Sequence, residues 1–235
     1  GRIQSGKLLL SGYNAELSVS SAGLAMNSKS SAIVLEDGAS LVSAGKVTAA
    51  SLELKNSYFD ALNVNAKALS VTNAITVTDG STMEMYGALK AGSLDLEASV
   101  LLLHGAKAQS VKINREAILV GAEMYVGGKM SAADVSLLQG SLLHLYDPTS
   151  AGKSMGLSVK GNMVLDDATL VLSGALSAKN LTLGSGSIAL TSSKLQTIKV
   201  GGMLSFEEDA DFTLNLGFSV SEKDFKRKKA FKILS

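Results

Sequence analysis

Apolar and polar residues alternate along most of this chain in very short stretches. Typical examples are Val47–Ala49, Leu52–Leu54 and Ile75–Val77, in which the first and third residues are apolar. Turn-forming Gly, Asn, Asp, Ser or Lys residues separate these stretches, which recur every 5 to 10 positions. A period of two indicates β-strands, and the close spacing leaves no room for helices. We therefore predict an all-β protein whose strands are too short for a sandwich or barrel.

The sequence repeats itself with a period of about 42 residues. Residues 34–54 align without a gap over residues 76–96, and further copies occupy residues 120–137 and 166–183. A fifth copy begins at residue 208 and then departs from the pattern. The marker glycines of the first four copies are spaced 42, 41 and 46 residues apart: Gly45, Gly87, Gly128 and Gly174. A fixed period of this length is typical of stacked repeat architectures.

Each repeat contains six strand signals, which predict two rungs of about 21 residues with three strands each. The fold expected is a single-stranded parallel β-helix, or β-solenoid, of about ten rungs, on the order of 50 Å long at ~4.8 Å per rung. Equivalent positions should form inward columns. One column would contain Leu41, Met83, Met124, Leu170 and Phe212, and another would contain Leu52, Leu94, Val135 and Leu181. The alanines Ala49, Ala91, Ala132 and Ala178 predict a tight inward corner.

The domain boundary is predicted from charge. Residues 1–222 form the expected solenoid, whereas residues 223–235 contain six basic residues and one acidic residue, a net charge of +5 in a chain of formal net charge +1. This basic tail is expected to cap the last rung and block edge-to-edge growth. The alternative is a basic patch for lipid or a polyanion.

The amino-acid composition limits the kinds of chemistry that this protein can perform. Leu, Ser, Ala and Gly fill more than half of the chain, hydrophobic residues make up 46%, and mean hydropathy is +0.25. Cysteine is absent, which excludes disulfides, thiol nucleophiles and Cys-based metal sites, and there are two histidines and no tryptophan. We expect no enzyme activity, no cofactor and no metal site. The charge balance predicts no nucleic-acid partner. No apolar run is long enough for a transmembrane helix, and a signal peptide is expected to be absent or already removed.

Five residues are candidates for ligand contact: Tyr86, Tyr125, His144, Tyr146 and Lys153. Tyr125 shares its repeat position with Val42 and Glu84, which predicts that its ring lies on the solvent side of a strand. The alternative is an aromatic ladder that merely stabilises neighbouring strands. His104 and His144 are 40 residues apart, so we expect them on the same side, two rungs apart and too distant to share a metal.

The longest interval between marker glycines predicts a loop at residues 146–156. Within it, Asp147–Ser154 resembles a phosphate-binding G-x-x-x-x-G-K-S loop, but the first glycine is missing. Such a loop must also be followed by a helix, whereas residues 156–160 alternate like a strand. We therefore expect a solvated turn that contains Lys153 and binds no nucleotide.

Repeating units such as Val77–Met85 and Ala168–Leu176, in a cysteine-free chain rich in Gly, Ser, Ala and Leu, resemble passenger domains of bacterial autotransporters. The resemblance covers residues 30–218. It implies a right-handed β-helix that is secreted or displayed on a bacterial cell surface through the outer membrane, with a translocator barrel elsewhere in the parent chain. No Gly-Asp-Ser-Gly protease motif occurs.

The function expected from this resemblance is that of a virulence-associated stalk or adhesin whose partner is a host or extracellular-matrix protein or glycan. One alternative is a β-helix carbohydrate-active enzyme, either a polysaccharide lyase or a glycosidase. Such an enzyme should show clustered acids and cations on one face. A second alternative is a filament that assembles through uncapped ends.

Overall fold

The computed structural model describes residues 2–3, 6–26, 28–63, 68–104, 109–149, 155–191 and 196–216, and over these residues the protein contains strands and turns. The strands in chain order are β1 (Arg2–Ile3), β2 (Lys7–Ser11), β3 (Glu16–Val19), β4 (Leu24–Met26), β5 (Ala32–Glu36), β6 (Ser40–Ser43), β7 (Val47–Ala49), β8 (Ser51–Lys55), β9 (Tyr58–Ala61), β10 (Leu69–Val71), β11 (Ala74–Thr78), β12 (Thr82–Met85), β13 (Leu89–Ala91), β14 (Ser93–Glu97), β15 (Val100–Leu103), β16 (Gln109–Ile113), β17 (Glu116–Val120), β18 (Glu123–Val126), β19 (Gly128–Ala132), β20 (Asp134–Leu145), β21 (Leu157–Leu172), β22 (Leu176–Leu183), β23 (Gly186–Leu190), β24 (Ile198–Val200), β25 (Leu204–Phe206) and β26 (Phe212–Leu216).

Every strand pairs in parallel with a strand of an adjacent rung, so the protein is a β-solenoid with three faces, as predicted. The first face contains β1, β4, β7, β10, β13, β16, β19, β24 and the starts of β21 and β22. The second contains β2, β5, β8, β11, β14, β17, β25, the start of β20, the centre of β21 and the end of β22. The third contains β3, β6, β9, β12, β15, β18, β23, β26 and the ends of β20 and β21. The chain therefore makes about nine turns.

Alternation along each strand separates the core from the surface. In β8 and β14 the apolar positions are buried and the intervening polar positions are exposed. The second-face column runs through Ile33, Leu52, Ile75, Leu94, Ala117, Val135, Met163, Leu181 and Leu204. All but Leu204 are at most 1% exposed. Stacking of these side chains along the axis forms a single continuous core.

The rungs are not uniform. The register advances 23 residues from Leu52 to Ile75, but only 19 from Ile75 to Leu94. The two together give the 42-residue repeat seen in the sequence. An uneven rung length arises because corners of successive rungs contain different numbers of turn residues, while the strand columns keep their alignment.

The corners between the second and third faces require left-handed backbone conformations. Asp37, Asp79 and Asp167 all have positive φ, of 58°, 56° and 46°. Asp tolerates this region because its short side chain bonds the local backbone. Gly38 and Gly80 follow the first two with φ of 85° and 74°, as expected for the Asp-Gly turns of the sequence.

One column assignment was wrong. Leu41, Met83, Met124 and Leu170 do share an inward column, but its next members are Ile188 and Leu214, whereas Phe212 pairs with Gly186. The fifth repeat is therefore shifted by two residues relative to the sequence alignment. The predicted alanine column is buried on the first face, where Ala49, Ala91, Ala132 and Ala178 alternate with larger residues of the intervening rungs.

Candidate functional site

Most aromatic and histidine side chains of the described rungs project from the third face. In register, Leu102, Tyr125 and His144 occupy one outward column on successive rungs. Backbone hydrogen bonds place a second column immediately beside it, because His104 N donates to Met85 O and Tyr146 N donates to Val126 O. Strand alternation and rung stacking therefore bring residues distant in sequence onto one small surface.

These side chains line an open recess of about 330 Å³, which we call the aromatic recess: Leu102, His104, Tyr125, His144 and Tyr146. The ring centroids of Tyr125 and His144 are 5.9 Å apart in an edge-on arrangement, and those of His144 and Tyr146 are 5.6 Å apart. Such spacings are typical of aromatic pairs in contact. The recess therefore has an apolar floor made of rings held by strands.

Gly127 lies between His104 and Tyr146 in the second column and shapes this floor. A Cβ atom at Gly127 would lie 3.3 Å from the Tyr146 hydroxyl and 3.3 Å from Pro148 Cβ. Without that atom, the Tyr146 hydroxyl approaches His104 Nδ1 at 3.5 Å. The glycine thus lets two rings on alternate rungs approach each other across it.

An acidic cluster adjoins the aromatic recess on the preceding rungs. Glu84 accepts hydrogen bonds from the hydroxyls of Tyr58, at 3.0 Å, and Tyr86, at 2.9 Å. Its Oε1 atom also lies 3.4 Å from His104 Nε2, and the Tyr86 and His104 rings are 5.4 Å apart. The cluster and the aromatic recess therefore form one continuous polar and aromatic strip along the third face.

Asp60 and Glu84 are register partners on neighbouring rungs. Burial, and then repulsion by the Glu84 carboxylate, raise the pKa of Asp60 above its usual range. Asp60 Oδ1 is shielded from solvent and has no hydrogen-bond partner among the described residues. Repulsion between two carboxylates on neighbouring rungs disfavours ionisation of both groups. The Asp60 side chain therefore holds its proton more readily than an isolated aspartate.

The tyrosines of the strip remain hydrogen-bond donors at neutral pH. Burial, followed by the hydrogen bond to Glu84, raises the pKa of Tyr58, and the bond to Glu84 is the main cause that raises the pKa of Tyr86. The hydrogen bond to Glu123, 2.9 Å long, raises the pKa of Tyr125. Burial lowers the pKa of His144, which favours its neutral imidazole.

The structure brings four of the five sequence candidates to this face. Tyr125, His144 and Tyr146 line the aromatic recess, and Tyr86 belongs to the acidic cluster. Lys153 lies outside the described residues. The Asp147 side chain accepts hydrogen bonds from the backbone and hydroxyl of Thr149, and the chain resumes as a strand at Leu157, so a strand follows the loop as the sequence predicts.

Sequence reasoning missed Tyr58, Asp60, Glu84, Leu102 and His104 as members of the strip. Assuming uniform rungs of 21 residues places Asp60 opposite residue 81, whereas the true partner is Glu84. The alternating rung lengths were the signal that would have found this cluster. His104 and His144 do lie on one face two rungs apart, and no group of three metal-ligating side chains occurs among the described residues.

Comparison with known proteins assigns no class to this protein, so its class is defined by its architecture alone. The chain matches no family model, no curated protein and no solved structure. Over the described ranges, the structure includes no helix with the length and hydropathy needed to cross a membrane. The class that the strands define is a parallel β-solenoid with a repeat of two unequal rungs.

Proposed function

We propose that this protein is a β-solenoid binding module whose aromatic recess binds a glycan. The observation that carries the proposal is the grouping of Tyr125, His144 and Tyr146 around one open recess on a face built from strands. Rings offer an apolar surface on which the apolar side of a sugar can lie, while hydroxyl and imidazole groups at the rim can bond to sugar hydroxyls.

Rigidity supports a binding role. Each ring of the aromatic recess belongs to a strand or to the residue that directly follows one, and its backbone is hydrogen-bonded to adjacent rungs. Side chains that are already ordered lose little conformational entropy when a ligand binds. A long stack of rungs would also hold the recess at a fixed distance from whatever anchors the protein.

The setting we propose is a secreted or surface-displayed bacterial stalk or adhesin. The likeness of the repeats to autotransporter passenger domains supports this part of the proposal. The partner that we propose is a host or matrix glycan. The aromatic recess gives that general role a definite contact surface.

The test is binding of the purified protein to an array of glycans, with Tyr125→Ala as the recess variant. Loss of a central aromatic contact should weaken binding by roughly tenfold or more. Tyr13→Ala is the matched control, because Tyr13 is 84% exposed near the first rung and remote from the recess. Equal binding by the Tyr125→Ala and native proteins would refute the assignment of the recess.

A carbohydrate-active enzyme is the second candidate, favoured by the Asp60 and Glu84 pair. Retaining glycosidases use two carboxyl groups roughly 5–5.5 Å apart, one protonated and one ionised. Here the two acids are register partners on adjacent strands, and the raised pKa of Asp60 makes it the more readily protonated member of the pair. A turnover screen on polysaccharides with native protein and Glu84→Gln separates the two functions. Turnover abolished by Glu84→Gln would identify an enzyme, and saturable binding without turnover would support the module.

A further inference from the structure

A second surface, on the first face, carries a row of exposed lysines. Lys46, Lys90, Lys112 and Lys129 project from or beside strands of this face, and all four are exposed. The outward positions between and beyond them are mostly serine or threonine: Thr48, Ser70, Ser110, Ser131, Ser158 and Ser177. We call this surface the lysine trough.

The register brings the lysines together. Lys90 and Lys112 are direct partners on adjacent strands, and Lys129, one rung after Lys112, pairs with Ser110. Two shallow recesses, of about 510 and 240 Å³, lie over this face, and both are lined by Ser110 and Lys112. They therefore join into one trough that extends from Lys46 to Ser177 over seven rungs, roughly 30 Å at ~4.8 Å per rung.

Within the part of the chain that the structure describes, no ion pair neutralises the lysines of this face. The strands β4, β7, β10, β13, β16 and β19 contain no acidic residue. Among the described residues, the lysine ion pair joins Lys55 to Asp79, which lies outside the lysine trough. Like charges directly opposite each other on adjacent strands repel, so the Lys90 and Lys112 pair lowers stability unless an anion binds it. The arrangement favours a negatively charged ligand.

The shape and chemistry of the lysine trough point to one class of polyanion. An extended row of single charges fits a linear chain better than a small anion, and lysine binds sulfate or carboxylate as a point charge. Serine hydroxyls can both donate to and accept from sugar hydroxyls. The six strands named above contain no aromatic residue on which nucleobases could stack. We propose that the lysine trough binds an acidic polysaccharide, independently of the aromatic recess on the third face.

The experiment measures binding of the full chain to heparin across a salt series, with neutral dextran and an oligothymidylate as comparison ligands. Lys90→Gln/Lys112→Gln should weaken heparin binding roughly tenfold at low salt and reduce the slope of log affinity against log salt by about two. The matched control, Lys7→Gln/Lys55→Gln, removes the same charge from exposed sites off the first face and should leave affinity within about twofold.

Several results would overturn the proposal. Equal losses in the two double variants would show that only net charge matters, and unchanged heparin binding by Lys90→Gln/Lys112→Gln would place the site elsewhere, including the basic segment 223–235. Absence of heparin binding by the native protein, or tighter binding of the oligothymidylate than of heparin, would also refute it. Unchanged far-UV circular dichroism of both variants verifies that the exposed substitutions leave the fold intact.

Discussion

Replacement of Leu94 by alanine tests the inward columns that define the fold. Leu94 is fully buried at the middle of the second-face column, between Ile75 and Ala117. The substitution removes three carbon atoms, worth about 0.8 kcal/mol each in lost burial, or about 2.4 kcal/mol in total. Because Ala117 is already short, it cannot fill the space, and the remaining cavity adds a further cost. We expect a loss of about 3–4 kcal/mol in the free energy of unfolding.

The matched control is the next residue along the strand. Asp95 is exposed between Thr76 and Ile118 in the outward column, so Asp95→Ala should change the free energy of unfolding by about 0.5 kcal/mol or less. Urea unfolding followed by far-UV circular dichroism measures both variants. Leu94→Asp should prevent folding, since it buries an unpaired carboxylate, whereas Asp95→Lys should be tolerated. Similar losses for Leu94→Ala and Asp95→Ala would refute the assigned register.

Two further predictions concern the acidic cluster and the corners. Folding raises the pKa of Asp60 above its ordinary value of 3.8. The stability of the protein should therefore fall as the pH rises above 3.8 and the Asp60 carboxyl group ionises. Asp60→Asn should therefore unfold at a higher urea concentration than the native protein at pH 7, and at pH 3 the two unfolding midpoints should coincide. Gly186 has φ of 124° and its Cβ would lie 2.1 Å from Ala168 O, whereas Gly80, with φ of 74°, faces open space. Gly186→Ala should therefore lower the thermal midpoint more than Gly80→Ala does, and equal shifts would contradict the clash.

The sequence pattern was sufficient to predict the strands, the parallel stacking and most of the core. Leu52, Leu94, Val135 and Leu181 do share one column, at intervals of two rungs. The physical reason is that an inward position tolerates only apolar residues, so the same positions are apolar in every repeat. The predicted register of the fifth repeat was wrong because Phe212 and Leu214 are both apolar, so hydropathy alone does not fix the register there.

The candidate site was harder to predict from the sequence than the core, because its side chains occupy outward positions of the strands. Outward positions are free to vary, so their residues show no repeat that reveals their neighbours. Tyr125 was recognised as solvent-facing, but its contact with His144 depends on the rung offset, which varies along the chain. The contact between Glu84 and His104 also joins neighbouring columns, which needs knowledge of where each strand ends.

The separation of core and surface explains how one rod can carry two unlike surfaces. Inward columns fix the fold, so each outward column can change without disturbing the others, provided its residues suit a strand. The third face groups rings with a carboxylate pair, whereas the first face groups lysines with serines and lacks acids and rings in β4, β7, β10, β13, β16 and β19. Because the two surfaces share no side chain, the Tyr125→Ala and Lys90→Gln/Lys112→Gln variants should each impair one ligand and leave the other unaffected. Loss of both ligands in either variant would instead mean that the two faces contact a single ligand.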